Sequence, residues 1–314
     1  DIKFLINKFL SAWKPKAIFF VDSEIWPNLI LQAREKNIPL VLINARITLK
    51  TFKRWMLVPD IAKKIFSCFS LCLSSSKETE GYLKDLNAKN VSFSGNLKLI
   101  GEIDKSKLSY SNINVLEKNR FWLAASTHEG EESLCLKTHL FLKKKYNNVK
   151  TIIAPRHIER SNRIRKLCES YNLTSQVLNL NETILNESEI IIINTFGVLS
   201  SFYKHAKSVF IGKSTIKKLE SVGGQNPVDA AKSGCKIYHG PYVYNFKEIY
   251  AILEKNNISN TIESSTELGN FLIKDLEDYG YDNKKFPALM NDLGQKTLTD
   301  TMTRINNFMT NETK

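Results

Sequence analysis

Short apolar runs and amphipathic stretches alternate along this chain. Residues 17–21, 39–44, 70–73, 91–93, 121–125, 150–154, 189–194, 208–211 and 235–239 are apolar or mostly apolar. Runs of that length between polar loops suit strands buried on both faces. Between them, apolar residues recur at helical spacing. Phe4, Leu5, Phe9 and Trp13 give a helix over 1–13 one apolar face. Further helices are expected at 27–36, 52–66, 77–86, 131–146, 160–171, 199–205, 227–233, 246–256, 267–279 and 288–308. Pro27 suits the first position of its helix.

Strands alternating with helices predict parallel sheets covered on both faces. The alternation breaks between 101 and 118, where Asp, Lys, Ser and Asn dominate and a linker is expected. The expected fold is therefore α/β, with two Rossmann-like domains, 1–110 and 111–314, facing each other across a cleft. The last helix is expected to pack back on the first domain. In such sheets ligands bind beyond the carboxyl ends of the strands, so chemistry is sought in the loops after them.

Composition narrows this picture. A chain of 314 residues with 42% apolar residues can bury large cores and is not disordered. No apolar run approaches the roughly 20 residues of a membrane-spanning helix, and no signal peptide is visible. The chain begins with Asp1, so an N-terminal part, and any anchor in it, is expected to be missing. The five cysteines, Cys68, Cys72, Cys135, Cys168 and Cys235, lie among apolar neighbours and read as reduced core residues of a cytoplasmic protein. The formal net charge of +13 favours anionic partners, or reflects a Lys-rich proteome. The charge is spread along the chain without an aromatic–basic platform, which argues against nucleic acid.

Several loops carry candidate chemistry. After the first strand comes Asp22-Ser23-Glu24-Ile25-Trp26-Pro27-Asn28. Glu24 could orient a cation or stabilise a cationic transition state; equally, Asp22, Ser23 or Glu24 could cap the helix. Arg46, after the second strand, can clamp a carboxylate or phosphate, or be a surface residue. Gly95 permits a tight turn before Lys98. Ser126-Thr127-His128-Glu129-Gly130 precedes a helix with Glu131 and Glu132 in its first turn, where hydroxyls and N–H groups can hold an anion or form an ordinary cap. Pro155, Arg156 and His157 follow a strand directly, where an anion would bind. In Gly223-Gly224-Gln225-Asn226-Pro227-Val228-Asp229 the glycines let backbone approach a ligand, Asn226 and Pro227 suit a helix start, and Asp229 can accept from sugar hydroxyls. The five histidines form no metal-ligand spacing, and no P-loop, GxGxxG or nucleophile elbow is present.

In order along the chain stand Glu24-Ile25-Trp26-Pro27-Asn28, Asn44-Ala45-Arg46, Gly95-Asn96-Leu97-Lys98, the segment from Ala125 to Glu132, Ala154-Pro155-Arg156-His157, Gly223-Gly224-Gln225-Asn226-Pro227, and Gly240-Pro241 with Asn245-Phe246. Together they resemble the transferases that move 3-deoxy-D-manno-octulosonate (Kdo) from CMP-Kdo to a lipid A precursor. The resemblance implies a GT-B architecture and a metal-independent, inverting enzyme without a cofactor, working at the cytoplasmic face of the inner membrane against an anionic lipid surface. It implies that the second domain binds the donor, with Pro155 and Arg156 at the CMP phosphate. Ser126, His157, Phe196, Gly197, Val198, Gly224, Asn226, Pro227, Val228 and Asp229 would line the rest of that site. Glu24 and Lys98 would support the transition state, and Arg46 would touch substrate. The family's general-base Glu lies upstream of the strand at 17–21 and has no equivalent here. Val198 stands where members usually carry an acid, Lys213 where they carry Gly, and Asp229 where they carry Glu. A transferase using another nucleotide-sugar and a non-catalytic relative are the alternatives. Lys53, Arg54, Trp55 and Met56 mix basic and apolar character, as a membrane-facing or an ordinary surface helix would.

Overall fold

The computed structural model describes residues 1–101, 107–278 and 285–312. It divides into two compact units, Asp1–Gly101 with Asp292–Lys314, and Glu102–Asn291, where the sequence pattern had suggested 1–110 and 111–314.

The first unit is a four-stranded parallel sheet in the order β1 (Ile18–Val21), β2 (Leu40–Ala45), β3 (Leu71–Ser74), β4 (Val91–Phe93). Phe20, Ile30, Leu40, Leu42, Phe66 and Phe69 form the centre of its core. The helix expected over 52–66 is two helices, Leu49–Trp55 and Pro59–Phe66. A residue before proline is pushed out of the helical region, and Val58 accordingly has φ −134° and ψ 63°. From the C-terminal helix Lys285–Glu312, Ile305 and Phe308 pack against Val41, Leu71 and Leu73.

The second unit is a seven-stranded parallel sheet built from β5 (Arg120–Thr127), β6 (Val149–Pro155), β7 (Ser175–Leu178), β8 (Ile190–Ile193), β9 (Ser208–Ile211), β10 (Lys236–His239) and β11 (Ser259–Thr261). The order is β11-β10-β9-β5-β6-β8-β7. The chain winds outward from β5 in one direction and then from β9 in the other, and this reversal opens a crevice at the carboxyl ends of the central strands. Asp275 on the helix Ser265–Glu277 is buried and accepts from Ser208 Oγ (2.6 Å), Tyr238 Oη (2.6 Å) and Lys236 Nζ (2.8 Å), tying that helix to β9 and β10.

Three further elements differ from the sequence pattern. The two edge strands β7 and β11 were not expected, because their sequences, SQVL and SNT, lack a continuous apolar run. The region read as linker through 118 contains the helix Tyr110–Lys118. Its polar residues serve the fold: Ser109 Oγ caps it, and buried Asn112 donates to Glu182 O and accepts from Ile184 N. Residues 102–106 of that linker, and Tyr279 at the end of the helix expected over 267–279, lie outside the described residues. All five cysteines are buried free thiols. Among the described residues, no helix is long and apolar enough to cross a membrane.

Candidate functional site

At the carboxyl ends of the central strands of the second unit lies a cavity of about 360 Å³. Ser126, Arg156, Gly197, Asn226 and Asp229 line it, together with Leu199, Ser200, Tyr203 and Gln225. The first five were singled out by sequence; the other four were not. Leu199, Ser200 and Tyr203 belong to the helix Leu199–Tyr203, which starts directly after the loop holding Gly197. A helix beginning there turns its first residues toward the same crevice, and that proximity was the available signal.

Backbone irregularities aim these side chains. The register between β5 and β6 shifts between Ala125 and Thr127, and Ser126 adopts φ +56°. Left-handed backbone costs a non-glycine residue about 1 kcal/mol, and such strain persists only where the surroundings over-determine it. Here they do. The Gly212 backbone lies so close that an added Cβ would sit 2.5 Å from Ser126 O. Asp229 is reachable by solvent but flanked by protein, and desolvation raises its carboxyl pKa above the ordinary range, opposed by nearby Lys232.

Glu131 is the keystone of these loops. Fully buried at the start of the helix Glu131–Lys143, its carboxylate accepts from His128 N (2.9 Å), Lys213 N (2.7 Å), Ser214 N (2.9 Å), Thr215 N (3.1 Å) and Thr215 Oγ1 (3.0 Å). Of the N–H groups in the loop before that helix, the one on His128 is thus taken by the protein's own carboxylate. Its neighbour Glu132 accepts from Thr127 Oγ1 and Arg160 Nη2, both at 2.9 Å.

Other predicted residues stand as follows. Pro155 ends β6, buried, beside Thr127. Arg156 and His157 are exposed just beyond it, and the His157 ring meets that of His128 edge-on at 5.8 Å between centroids. Phe196 is 65% exposed next to Gly197, and Val198 is half-buried. Pro227 and Val228 are buried, so Val228 brings no side chain to the cavity; its N–H donates to Asn226 Oδ1 at 3.1 Å. Gly224 corrects the expectation of a glycine opened to a ligand. Its φ is +82°, and an added Cβ would lie 2.9 Å from Val243 Cα; at Gly223 it would lie 2.3 Å from Tyr242 O. These glycines let backbone meet backbone, and Gly224 N donates to Lys213 O at 2.6 Å.

The first unit has its own polar cluster at its strand ends. Asp22 (φ +57°) and Asn44 (φ +50°) are both left-handed. Asn44 donates its amide to Asp22 Oδ1 and accepts from Leu97 N at 2.9 Å. Lys98 Nζ stands 3.4 Å from Asp22 Oδ2, and Asn96 Oδ1 caps the Lys98 N–H at 3.0 Å. Arg46 N donates to Asp22 O (3.1 Å), and Ser23 Oγ donates to Arg46 O (2.9 Å). The exposed carboxylate of Glu24 instead accepts from the Trp26 indole at 2.9 Å. Lys98 and Arg46 are brought together around Asp22, a residue the sequence offered only as a helix cap.

Two parallel α/β units with a polar crevice at the strand ends define a class of fold. The chain resembles a solved UDP-N-acetylglucosamine 2-epimerase with a TM-score of 0.64 at 10% identity, over 98% of this chain and 76% of that one. It resembles the Rickettsia bellii UDP-N-acetylglucosamine 2-epimerase with a TM-score of 0.55 at 14% identity, over 98% and 77%. At such identity the likeness concerns the fold alone, the GT-B architecture of two Rossmann-like domains. Sequence carries the family. Residues 1–100 match the model of the 3-deoxy-D-manno-octulosonic-acid transferase (kdotransferase) family. Over 283 residues, 85% of this chain, it is 32% identical to the Arabidopsis thaliana protein named "Probable 3-deoxy-D-manno-octulosonic acid transferase, mitochondrial", covering 62% of it. It is 28% identical to the 3-deoxy-D-manno-octulosonic acid transferase of Haemophilus influenzae over 85% of this chain and 64% of that one. The corresponding Aquifex aeolicus protein is 29% identical over 85% and 68%. The chain belongs to the Kdo transferase family, and it spans 62% and 64% of the length of the first two of these relatives.

Proposed function

We propose that the protein transfers Kdo from CMP-Kdo to a hydroxyl of a lipid A precursor, in lipopolysaccharide synthesis. The observation that carries this reading is the cavity of the second unit, where Arg156, Ser126, Asn226 and Asp229 converge in a chain with Kdo transferase relatives. In the reaction the bond between the anomeric carbon and the phosphate oxygen breaks, CMP leaves with its electrons, the acceptor oxygen bonds the anomeric carbon from the opposite face, and the hydroxyl proton passes to water. The departing phosphate gains charge, and Arg156 stabilises it. The Asp229 carboxylate accepts from ribose hydroxyls, the Asn226 amide donates to them, and exposed Phe196 offers its ring to the base. Lys98 and Glu24 act on the sugar, whose transition state carries positive charge on the ring. We read the transfer as inverting and independent of metal and cofactor; activity unchanged by EDTA supports that, and its loss overturns it.

The direct test is calorimetric titration with CMP, with UDP and Arg156→Ala as comparisons. One charge-assisted hydrogen bond is worth about 1.5–3 kcal/mol, so Arg156→Ala should weaken CMP at least about tenfold, with folding unchanged. A well-folded protein that ignores CMP, or that binds UDP equally, refutes the donor assignment.

The turn joining Leu49–Trp55 to Pro59–Phe66 supports work at an anionic membrane face, which we take to be the cytoplasmic side of the inner membrane. Leu57 is 80% exposed, Met56, Val58 and Ile61 are also exposed, and Lys53, Arg54, Lys63 and Lys64 are exposed on the two flanking helices, against one exposed acid, Asp60. An apolar tip with a basic collar suits an interface of anionic lipid. Sedimentation with phosphatidylglycerol vesicles should be lost on Leu57→Asp with Ile61→Asp; equal retention of that double variant sinks this docking face.

A further inference from the structure

The polar cluster at the strand ends of the first unit is organised by Asn44. This residue lies inside β2, yet its φ is +50°, and the pairing of β2 with β3 shifts register between Leu42 and Ala45. A left-handed residue within a strand marks a bulge, and bulges re-aim a side chain. Asparagine enters that region more readily than most residues. The Asn44 side chain is buried, 4% exposed.

Each end of its amide holds one loop. The amide nitrogen donates to Asp22 Oδ1, after β1, and the amide oxygen accepts from Leu97 N at 2.9 Å, after β4. The backbone beside Asn44 holds Asp22 as well: Asp22 N donates to Ile43 O, and Arg46 N donates to Asp22 O, both at 3.1 Å. Asp22 is thereby fixed at backbone and carboxylate, and its other oxygen stands 3.4 Å from Lys98 Nζ. The C-terminal helix packs on the same turn. A Cβ on Gly294 would lie 2.7 Å from Leu99 O, and one on Gly95 would lie 3.0 Å from Thr297 Oγ1. The backbone that carries Lys98 and the carboxylate that faces it both depend on one buried side chain.

We propose that Asn44 is the positioning residue for Lys98. It sets where the ammonium stands, through the Asp22 carboxylate and through the Leu97 N–H, and this rests on the reading that Lys98 acts on the sugar. An ammonium on a four-carbon stem is mobile unless its surroundings fix it. A charge that supports a transition state works best when it is held in place before the reaction starts. The partly exposed pair of Asp22 and Lys98 is too weak to fix itself. A neutral amide serves both ends at once, donating at nitrogen and accepting at oxygen. Aspartate at this position would oppose Asp22, and a residue without a polar side chain would release both loops.

The test follows Kdo transfer from CMP-Kdo by the whole chain, for the wild type, Asn44→Gly, Lys98→Ala and the double variant. Glycine keeps the left-handed backbone and removes only the amide. Asn44→Gly should lower kcat at least about tenfold and leave the donor KM and the CMP affinity within about twofold. On the Lys98→Ala background the same glycine should change kcat less than about twofold, because no ammonium is left to place. An equal loss on both backgrounds overturns the proposal and assigns Asn44 to folding alone. Unchanged kcat in Asn44→Gly overturns it too, while transfer by the wild type still upholds the function. Where Lys98→Ala is too slow to read, a fall of kcat with CMP affinity and melting temperature kept upholds the proposal, and a parallel fall of CMP affinity overturns it. Wild-type turnover in Lys98→Ala removes the role of Lys98 and that of Asn44 with it. A wild type that transfers no Kdo overturns both the function and the proposal.

Discussion

In the first unit the carboxylate at the end of β1, Asp22, is held by Asn44 and Lys98, and its side chain remains 37% exposed. In the second unit the carboxylate that organises the strand ends, Glu131, is fully buried and takes donors from three residues of the loop after β9 and from its own loop. Both units place non-glycine residues in left-handed backbone at these ends, Asp22 and Asn44 in one, Ser126 and Lys213 in the other. The difference lies in what the acid consumes. Glu131 consumes backbone N–H groups, while Arg156 stays exposed at the cavity. Asp22 pairs with Lys98 itself, so a ligand using Lys98 has to compete with Asp22 or bind with the pair intact. One site is preorganised around a buried anion, and the other is balanced between its own charges.

Breaking the buried member has the largest consequence. Glu131→Ala strands the N–H groups of Ser214, buried, and of His128, Lys213 and Thr215, part-buried, and losing one partner of a buried charged network costs about 3–5 kcal/mol. Denaturation followed by peptide-resolved hydrogen exchange should show the second unit destabilised by that amount, CMP binding lost and the first unit's protection kept. A loss under about 1 kcal/mol would mean that the loops hold without their carboxylate.

Acid sharpens the contrast next, because all five histidines lie in the second unit. Burial lowers the His139 pKa to about 4; Glu189 opposes the shift, and Lys143 and Lys150 reinforce it. The His239 pKa is lowered as well, again chiefly by burial. A folded state that resists protonation is at full advantage above the unfolded value near 6.5 and loses it as pH falls toward the folded value. At about 1.4 kcal/mol per unit, His139 alone should remove about 3 kcal/mol between pH 6.5 and 4. His139→Gln should flatten that part of the pH dependence of the second unit's unfolding. An unchanged slope would assign the acid sensitivity to other groups.

The smallest effect belongs to the first unit's pair. Asp22→Asn removes a half-exposed ion pair worth about 0–1 kcal/mol, so stability should barely move. If Lys98 acts on the substrate, kcat should fall in this variant with little change in KM for the donor, and Asp22→Glu should restore part of it. Asp22→Asn with unaltered turnover would leave the pair a matter of local packing.

Much of this was legible in the chain. Continuous apolar runs such as 190–193 marked the buried strands because a strand covered on both faces needs no polar alternation. Arg156, Asn226 and Asp229 were findable because they follow such strands directly. The edge strands β7 and β11 were not, since an edge with one open side tolerates SQVL and SNT. The helix Tyr110–Lys118 read as linker because Asn112 and Ser109 are polar, yet their hydrogen bonds are what hold it. The split at Pro59 needed only the rule that the residue before proline leaves the helix.

Local pattern, then, determined the class of fold, the order of the elements and which loops would face the crevice, because buried strands and helix starts are written in near neighbours. The partners of each charge were decided only by tertiary structure. Glu131 and Lys213 are far apart in sequence and meet because β5 and β9 pair; Asp22 and Lys98 meet because the strands of the first sheet are parallel, so the loops after β1 and β4 leave from the same carboxyl end, with Asn44 after β2 between them. Whether a carboxylate caps a helix, anchors a loop or pairs a lysine depends on what long-range packing brings within hydrogen-bond reach and how much water it excludes, and neither is encoded in spacing along the chain.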